Sequence, residues 1–165
     1  MNANANFIEF SRQLFDNELL ASEGTVRAVL EKYELAKIHG HEFVGVVQKD
    51  YRELYSESTH VYKGKDGERV GVLQVRGALT YEESFFTALC GMTSYEGLQN
   101  RADYLINDRG IDHLVLEVNS GGGMAYGCFE KASYVKRLAE DNGVKITTYV
   151  DGVGFSGGYA WTCLS

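Results

Sequence analysis

The segment Lys145-Ile146-Thr147-Thr148-Tyr149-Val150-Asp151-Gly152-Val153-Gly154-Phe155-Ser156-Gly157-Gly158-Tyr159-Ala160 decides the fold of this chain. Its opening residues are rich in β-branched and aromatic side chains, which favour a pleated strand. Glycines at 152, 154, 157 and 158 then mark a tight turn, because they accept positive φ and let the backbone approach a neighbour. Ser156 sits at the apex, and the residues beyond it open a helix. Such a helix aims unpaired N–H groups and the positive end of its dipole at any charge developing beside the serine. The arrangement suits chemistry that builds an oxyanion.

Two general patterns overlap on this turn. Gly154-Phe155-Ser156-Gly157-Gly158 fits the G-x-S-x-G nucleophile elbow of an α/β-hydrolase-type esterase, which needs an acid and then a histidine after the serine. The segment from Gly157 to Ser165 contains neither. Gly152-Val153-Gly154-Phe155-Ser156-Gly157 also fits the dinucleotide fingerprint, which expects an acidic residue about twenty positions further on. Ser165 ends the chain before that point. A third pattern needs an upstream partner, and Val115-Leu116-Glu117-Val118-Asn119-Ser120-Gly121-Gly122-Gly123 supplies one: a second strand running into glycines. Two such turns together can offer a nucleophile from one and amide donors from the other.

The pair Asn119-Ser120-Gly121-Gly122-Gly123 and Phe155-Ser156-Gly157-Gly158-Tyr159 resembles the two signature turns, NSPGG and ASGGY, of the signal peptide peptidase A family of serine proteases. With Thr93-Ser94-Tyr95-Glu96-Gly97 upstream, and no membrane anchor expected, the chain is most similar to the phage branch, the prohead maturation proteases. The similarity runs in order over residues 68 to 165. It implies an α/β fold of stacked ββα units of the ClpP/crotonase type. It also implies Ser156 as nucleophile, the Gly122, Gly123 and Gly157 backbone as oxyanion hole, and Gly121 and Gly154 beside the substrate chain. No cofactor and no metal are implied. The implied substrate is a scaffold or capsid protein, cut by a homo-oligomer in the prohead or host cytoplasm. Gly121 stands where the family has proline, so a looser turn is expected. The family works as a Ser-Lys dyad, with the lysine well beyond the serine, and no lysine follows Ser156 here. The chain is therefore expected to be an N-terminal portion of a longer protease, to receive its base from another chain, or to be inactive. A non-catalytic capsid assembly or scaffold piece that keeps the fold is the alternative.

Composition agrees with a folded domain. At 165 residues and 44% hydrophobic, the chain can bury a sizeable core. A net charge of -7 without a basic block argues against nucleic acid or anionic lipid as the main partner. No long apolar window or charged-then-apolar leader is present, so neither membrane insertion nor secretion is expected. Cys90, Cys128 and Cys163 are widely spaced and read as small apolar packing residues.

Residues 1–40 read as a helical N-terminal extension, with Phe7, Ile8, Phe10 and Leu14 on one stripe and Val26, Val29, Leu30, Tyr33 and Ala36 on another. His39 and His41 beside Glu42 read as a solvated loop rather than a metal site. Residues 41–165 read as the N-terminal portion of the protease domain. Within them, Lys63-Gly64-Lys65-Asp66-Gly67 predicts a turn, and residues 69–77 a strand with apolar Val70, Val72, Leu73 and Val75. Residues 78–92 read as irregular, with Tyr81, Phe85 and Phe86 assigned to core rather than to a lid. Thr93-Ser94-Tyr95-Glu96 fits a T-x-x-E capping box for a helix lined by Leu98, Ala102, Leu105 and Ile106 and stopped by Gly110. The strand from Ile111 to Val118 carries Leu114-Val115-Leu116, which predicts burial on both faces. A helix from about Ala125 to Asn142-Gly143 places Cys128, Ala132, Val135 and Ala139 on one face. The alternation predicts right-handed βαβ units. Lys131, Lys136 and Lys145 are expected on solvated faces. The apolar run from Tyr159 to Leu164 predicts exposed apolar surface near the terminus.

Overall fold

Alternating apolar residues set the first long strand, and the sheet grows from it. A computed structural model describes residues 19–21, 27, 30–31, 59–83, 87 and 91–165. The strands are β1 (Leu19–Ala21), β2 (Val61–Lys63), β3 (Arg69–Thr80), β4 (Thr93–Ser94), β5 (His113–Met124) and β6 (Lys145–Gly154). The helices are α1 (Tyr95–Asp103), continued by a π-turn over Tyr104–Asp108, then α2 (Cys128–Asp141) and α3 (Gly157–Thr162). All six strands form one sheet. β5 lies between β3 and β6, parallel to both, and β4 is parallel to the end of β3. β2 joins β3 antiparallel, and β1 joins the end of β5 antiparallel. The fold is α/β with a mostly parallel sheet, as the strand and helix alternation predicts.

The expected turn at 63–67 closes the β2–β3 hairpin, with Gly67 at φ 82° and Gly64 N–H donating to the Glu68 carbonyl at 2.7 Å. Along β3 the buried face differs from the expectation. Gly71, Leu73 and Val75 are buried, while Val70 and Val72 are half-exposed on the other side. Gly71 makes this possible: a Cβ there would sit 2.9 Å from Ile111 Cδ1, so the missing side chain admits Ile111 and Leu105 against the strand. β3 also runs on to Thr80 through a bulge at Gly77, where irregular chain is expected.

The cap of α1 is Ser94, whose hydroxyl accepts the Gly97 N–H at 3.0 Å. Thr93, the cap expected from the T-x-x-E pattern, instead lies in β4 and binds the backbone of Arg76 through its hydroxyl. The frame shift follows from the β3–β4 pairing, which holds Thr93 extended. Leu98, Ala102, Leu105 and Ile106 are buried as expected, and Gly110 takes φ 56° after the helix. The predicted α2 stripe, Cys128, Ala132, Val135 and Ala139, is buried too. α2 itself starts later than expected, because β5 extends through the glycines to Met124.

The sheet is covered on one face among the described residues. Leu73, Val75, Leu114, Leu116 and Val118 meet the helices, while Val115 is only half-buried on the opposite face with His113 and Glu117. Burial of Leu114-Val115-Leu116 on both faces is therefore not observed. Tyr95 and Trp161 stack at the centre of the core, with ring centroids 6.2 Å apart. Cys128 is buried as expected, but Cys163 is exposed, because Trp161 and Leu164 take the inward positions of the last turn. Cys90, Phe85, Phe86, His39 and His41 lie outside the described residues. In the N-terminal region, Arg27, Leu30 and Glu31 are helical, but Leu19–Ala21 is a strand, a local preference overridden by pairing with β5. No helix among the described residues is long and apolar enough to cross a membrane.

Burial raises the Tyr95 hydroxyl above its ordinary value of 10.0, with the neighbouring Cys128 adding to the effect, and burial likewise raises the Cys128 thiol above 9.0. The native state thus holds protons that the unfolded chain releases. Their contribution is complete below the unfolded values and is lost as pH rises above them. Stability followed by urea titration is expected to decline as pH rises past about 9. Tyr95→Phe should flatten that decline and lower neutral-pH stability by about 1–3 kcal/mol, since the Met124 carbonyl loses its donor.

Candidate active site

Ser156 stands where β6 leaves the sheet and α3 begins. Its backbone has φ 50° and ψ -119°, and it is the one non-glycine residue with positive φ among the described residues. This region favours glycine, and holding a serine there costs on the order of 1–3 kcal/mol. A serine on a strained strand-to-helix turn is the geometry of a nucleophile elbow. The residue is exposed, and its side chain makes no capping hydrogen bond to α3.

The second glycine segment lies against this turn. Phe155 N–H donates to the Ser120 carbonyl at 3.0 Å, and Ser120 pairs with Gly154 in the β5–β6 ladder. A Cβ on Gly158 would meet the Ser120 carbonyl oxygen at 2.6 Å. A Cβ on Gly157 would lie 3.6 Å from the Gly123 nitrogen and 3.1 Å from the Tyr95 hydroxyl. On the far side, a Cβ on Gly123 would collide with the backbone of Leu79. Two segments distant in sequence thus meet backbone to backbone, and at Gly158 and Gly123 a side chain does not fit.

The individual glycines play different parts. Gly122, at φ 96°, gives its N–H to the Ser120 hydroxyl at 3.1 Å, so that donor is already engaged. Gly123 and Gly157 remain the candidate donors. Gly121 is buried within β5, and Gly154 closes the β5–β6 ladder, where a Cβ would lie 3.0 Å from Thr162 Cγ2. Both lie at the junction of the two glycine segments. Gly121 lies within β5 rather than in the expected loose turn, at the register shift before Gly122 and Gly123, which are paired on both sides.

Three residues inside the quoted segments act as braces, a role that the sequence patterns do not assign. The Ser120 hydroxyl donates to the Gly77 carbonyl at 2.6 Å, tying β5 to the β3 bulge. Asn119 Oδ1 accepts the Val153 N–H at 3.3 Å and packs on Gly152, whose φ is 120°. Tyr95 donates to the Met124 carbonyl at 2.6 Å and lies under Gly157, joining α1 to both turns. Tyr95 lies inside the quoted Thr93–Gly97 segment, so its place beside the cap was the available signal.

Lys131, Lys136 and Lys145 do not reach Ser156. Lys131 is half-buried, contrary to the expected solvated face; its Nζ donates to Gln99 Oε1 at 2.8 Å and lies 5.5 Å from the Tyr81 ring centroid. Lys136 is half-buried on α2, and Lys145 is exposed at the opposite end of β6 from the turn. A shallow hollow of about 490 Å³ lies elsewhere, on the open sheet face, lined by residues including His60, Tyr62, Val115 and Tyr149. It contains no residue of either turn.

Comparison with known proteins gives one informative likeness. Over 71 residues, or 43% of this chain, the sequence is 30% identical to the capsid assembly protease C of Escherichia phage lambda. The matched stretch spans 16% of that protein's length. No family model matches the chain, and no solved structure matches it. The chain is thus related, distantly, to a phage capsid protease.

Replacing Ser156 by glycine should relieve the strained backbone. Ser156→Gly is expected to exceed Ser156→Ala in stability by about 1 kcal/mol in chemical denaturation. Equal stabilities would show that the turn is relaxed in solution.

Proposed function

We propose that this chain carries the nucleophile of a serine endopeptidase of the signal peptide peptidase A type, which processes scaffold or capsid protein during phage head maturation. The observation that carries the reading is the contact of the strained Ser156 turn with the Gly123 end of β5. The likeness to a capsid assembly protease supports the same class of substrate. On this reading, residues 41–165 are the N-terminal portion of a ClpP/crotonase-like domain of stacked ββα units, and residues 1–40 an extension to it.

In the reaction, the Ser156 hydroxyl oxygen attacks the peptide carbonyl carbon while its proton passes to a base. The Gly123 and Gly157 amides stabilise the oxyanion, and each such donor lowers the barrier by about 2.7–4 kcal/mol. The C–N bond then breaks, the amine leaves with a proton, and water hydrolyses the acyl-enzyme. On this reading the base is a lysine outside the described residues. Exposed Tyr126, Phe129, Tyr149, Phe155 and Tyr159 suit a homo-oligomer, since such aromatic surface favours association. The setting is the prohead in the host cytoplasm.

A second reading, a non-catalytic assembly piece that retains the fold, is favoured by the lack of a base bonded to Ser156 among the described residues. A fluorophosphonate probe applied to the intact protein separates the two. Labelling at Ser156 that disappears in Ser156→Ala is the expected result. Labelling that persists in the alanine variant, or no labelling at all, overturns the protease reading.

A further inference from the structure

β5 reaches past β6. The two strands pair from His113↔Lys145 to Ser120↔Gly154, after which β6 turns away toward Ser156. The next positions of β5, Gly122 and Gly123, are still paired with Ala78 and Leu79 of β3 on one edge. Their other edge is the one β6 has vacated. It is taken by β1 in antiparallel register: Leu19↔Met124, Leu20↔Gly123 and Ala21↔Gly122. The N-terminal strand therefore continues the sheet at the place where the nucleophile turn leaves it.

We infer that Leu19–Ala21 is the chain's own occupant of the Gly122–Met124 edge, holding the rungs that an extended peptide presented to Ser156 would take. The inference deepens the protease reading and rests on it for the chemistry of the bound peptide. A peptide presented to Ser156 has to run extended past the junction of β5 and β6, and strand addition to a free edge anchors a backbone without demanding a sequence. Gly122 and Gly123 offer such an edge, being backbone alone. The Gly123 amide beside Gly157 is opposite Leu20 in the register. A substrate and β1 cannot hold the same rungs.

β1 is suited to being displaced. It spans three residues, and two of its three partners are glycines that provide no cross-strand side-chain pair. Isolated pairings of this length are marginal. The occupant also indicates the class of ligand: an extended segment, apolar at Leu19-Leu20, followed by the small residues Ala21-Ser22.

The test uses hydrogen exchange and fluorescence anisotropy on the full chain with a labelled synthetic peptide of sequence Asn17 to Gly24. In the unmodified protein, saturating peptide should deprotect Leu19–Ala21 while Gly122–Met124 stays protected. Leu20→Pro and Ala21→Pro provide the second measurement. Successive N–H groups face opposite strand edges, so one of the two removes a donor to β5. If β1 leaves the edge open about a tenth of the time, that variant binds peptide about tenfold more tightly. Absence of peptide binding, or binding that leaves Leu19–Ala21 protected, overturns the inference. So do folded proline variants with no gain in affinity. Should both unfold, with exchange rising throughout β3 and β5, displacement in the unmodified chain decides. Fluorophosphonate labelling is scored separately. Labelling without displacement retains the nucleophile and removes the acceptor edge; displacement without labelling does the reverse.

Discussion

The structure depends on a close approach of backbones: the start of α3 lies on the end of β5 and that end lies on β3, with no space for a Cβ at Gly158 or at Gly123. Gly158 rests on Ser120, Gly157 on Gly123 and Gly123 on Leu79. Close-packed interiors transmit small volume changes, so this stack fixes the separation of the two glycine segments to within the size of a methyl group. The strained conformation of Ser156 persists for the same reason. Phe155 is bonded to Ser120 before it, and Gly157 and Gly158 are packed after it, so the backbone between has little freedom to relax.

Polar side chains hold the stack in register where apolar packing cannot. Ser120 satisfies a carbonyl of the β3 bulge and an amide of its own strand, and Asn119 secures the bend of β6. Both act on backbone groups beside a ladder irregularity, and those that Ser120 satisfies are buried or partly buried and would otherwise carry a desolvation cost. Tyr95 does the equivalent from the helical layer, reaching Met124 while its ring stacks on Trp161. The polar residues of the Asn119-Ser120 signature thus work as braces beside the candidate chemistry.

Much of this was legible in the sequence because it follows from local rules. The α1 and α2 stripes, the glycine stops at Gly110 and Gly143, and the strand-turn-helix at Ser156 each rest on periodicity or on a conformation that glycine permits. The departures come from pairing between segments distant in sequence. Thr93 reads as a cap until β3 claims it as a strand; Gly121-Gly122-Gly123 reads as a turn until β1 and β3 extend the sheet across it. Val115 reads as buried because composition cannot tell which face of a sheet the helices cover. The site shows the same division: the spacing of apex serine and glycines is local, whereas the engagement of Gly122 by Ser120 depends on the bulge and could not be read from a string.

The same property of the β5 glycines serves two ends that would otherwise conflict. Toward β3, the absence of side chains lets strands and helix close to contact distance. Toward the edge shared by β6 and β1, it leaves backbone as the principal feature that β5 presents at Gly122 and Gly123. A side chain at either position would fill the junction and also narrow the edge to partners that tolerate it. Glycine keeps packing tight on one side and recognition undemanding on the other. The functional reading therefore rests on residues whose contribution is geometric, and the chemistry is left to the serine that they hold in place.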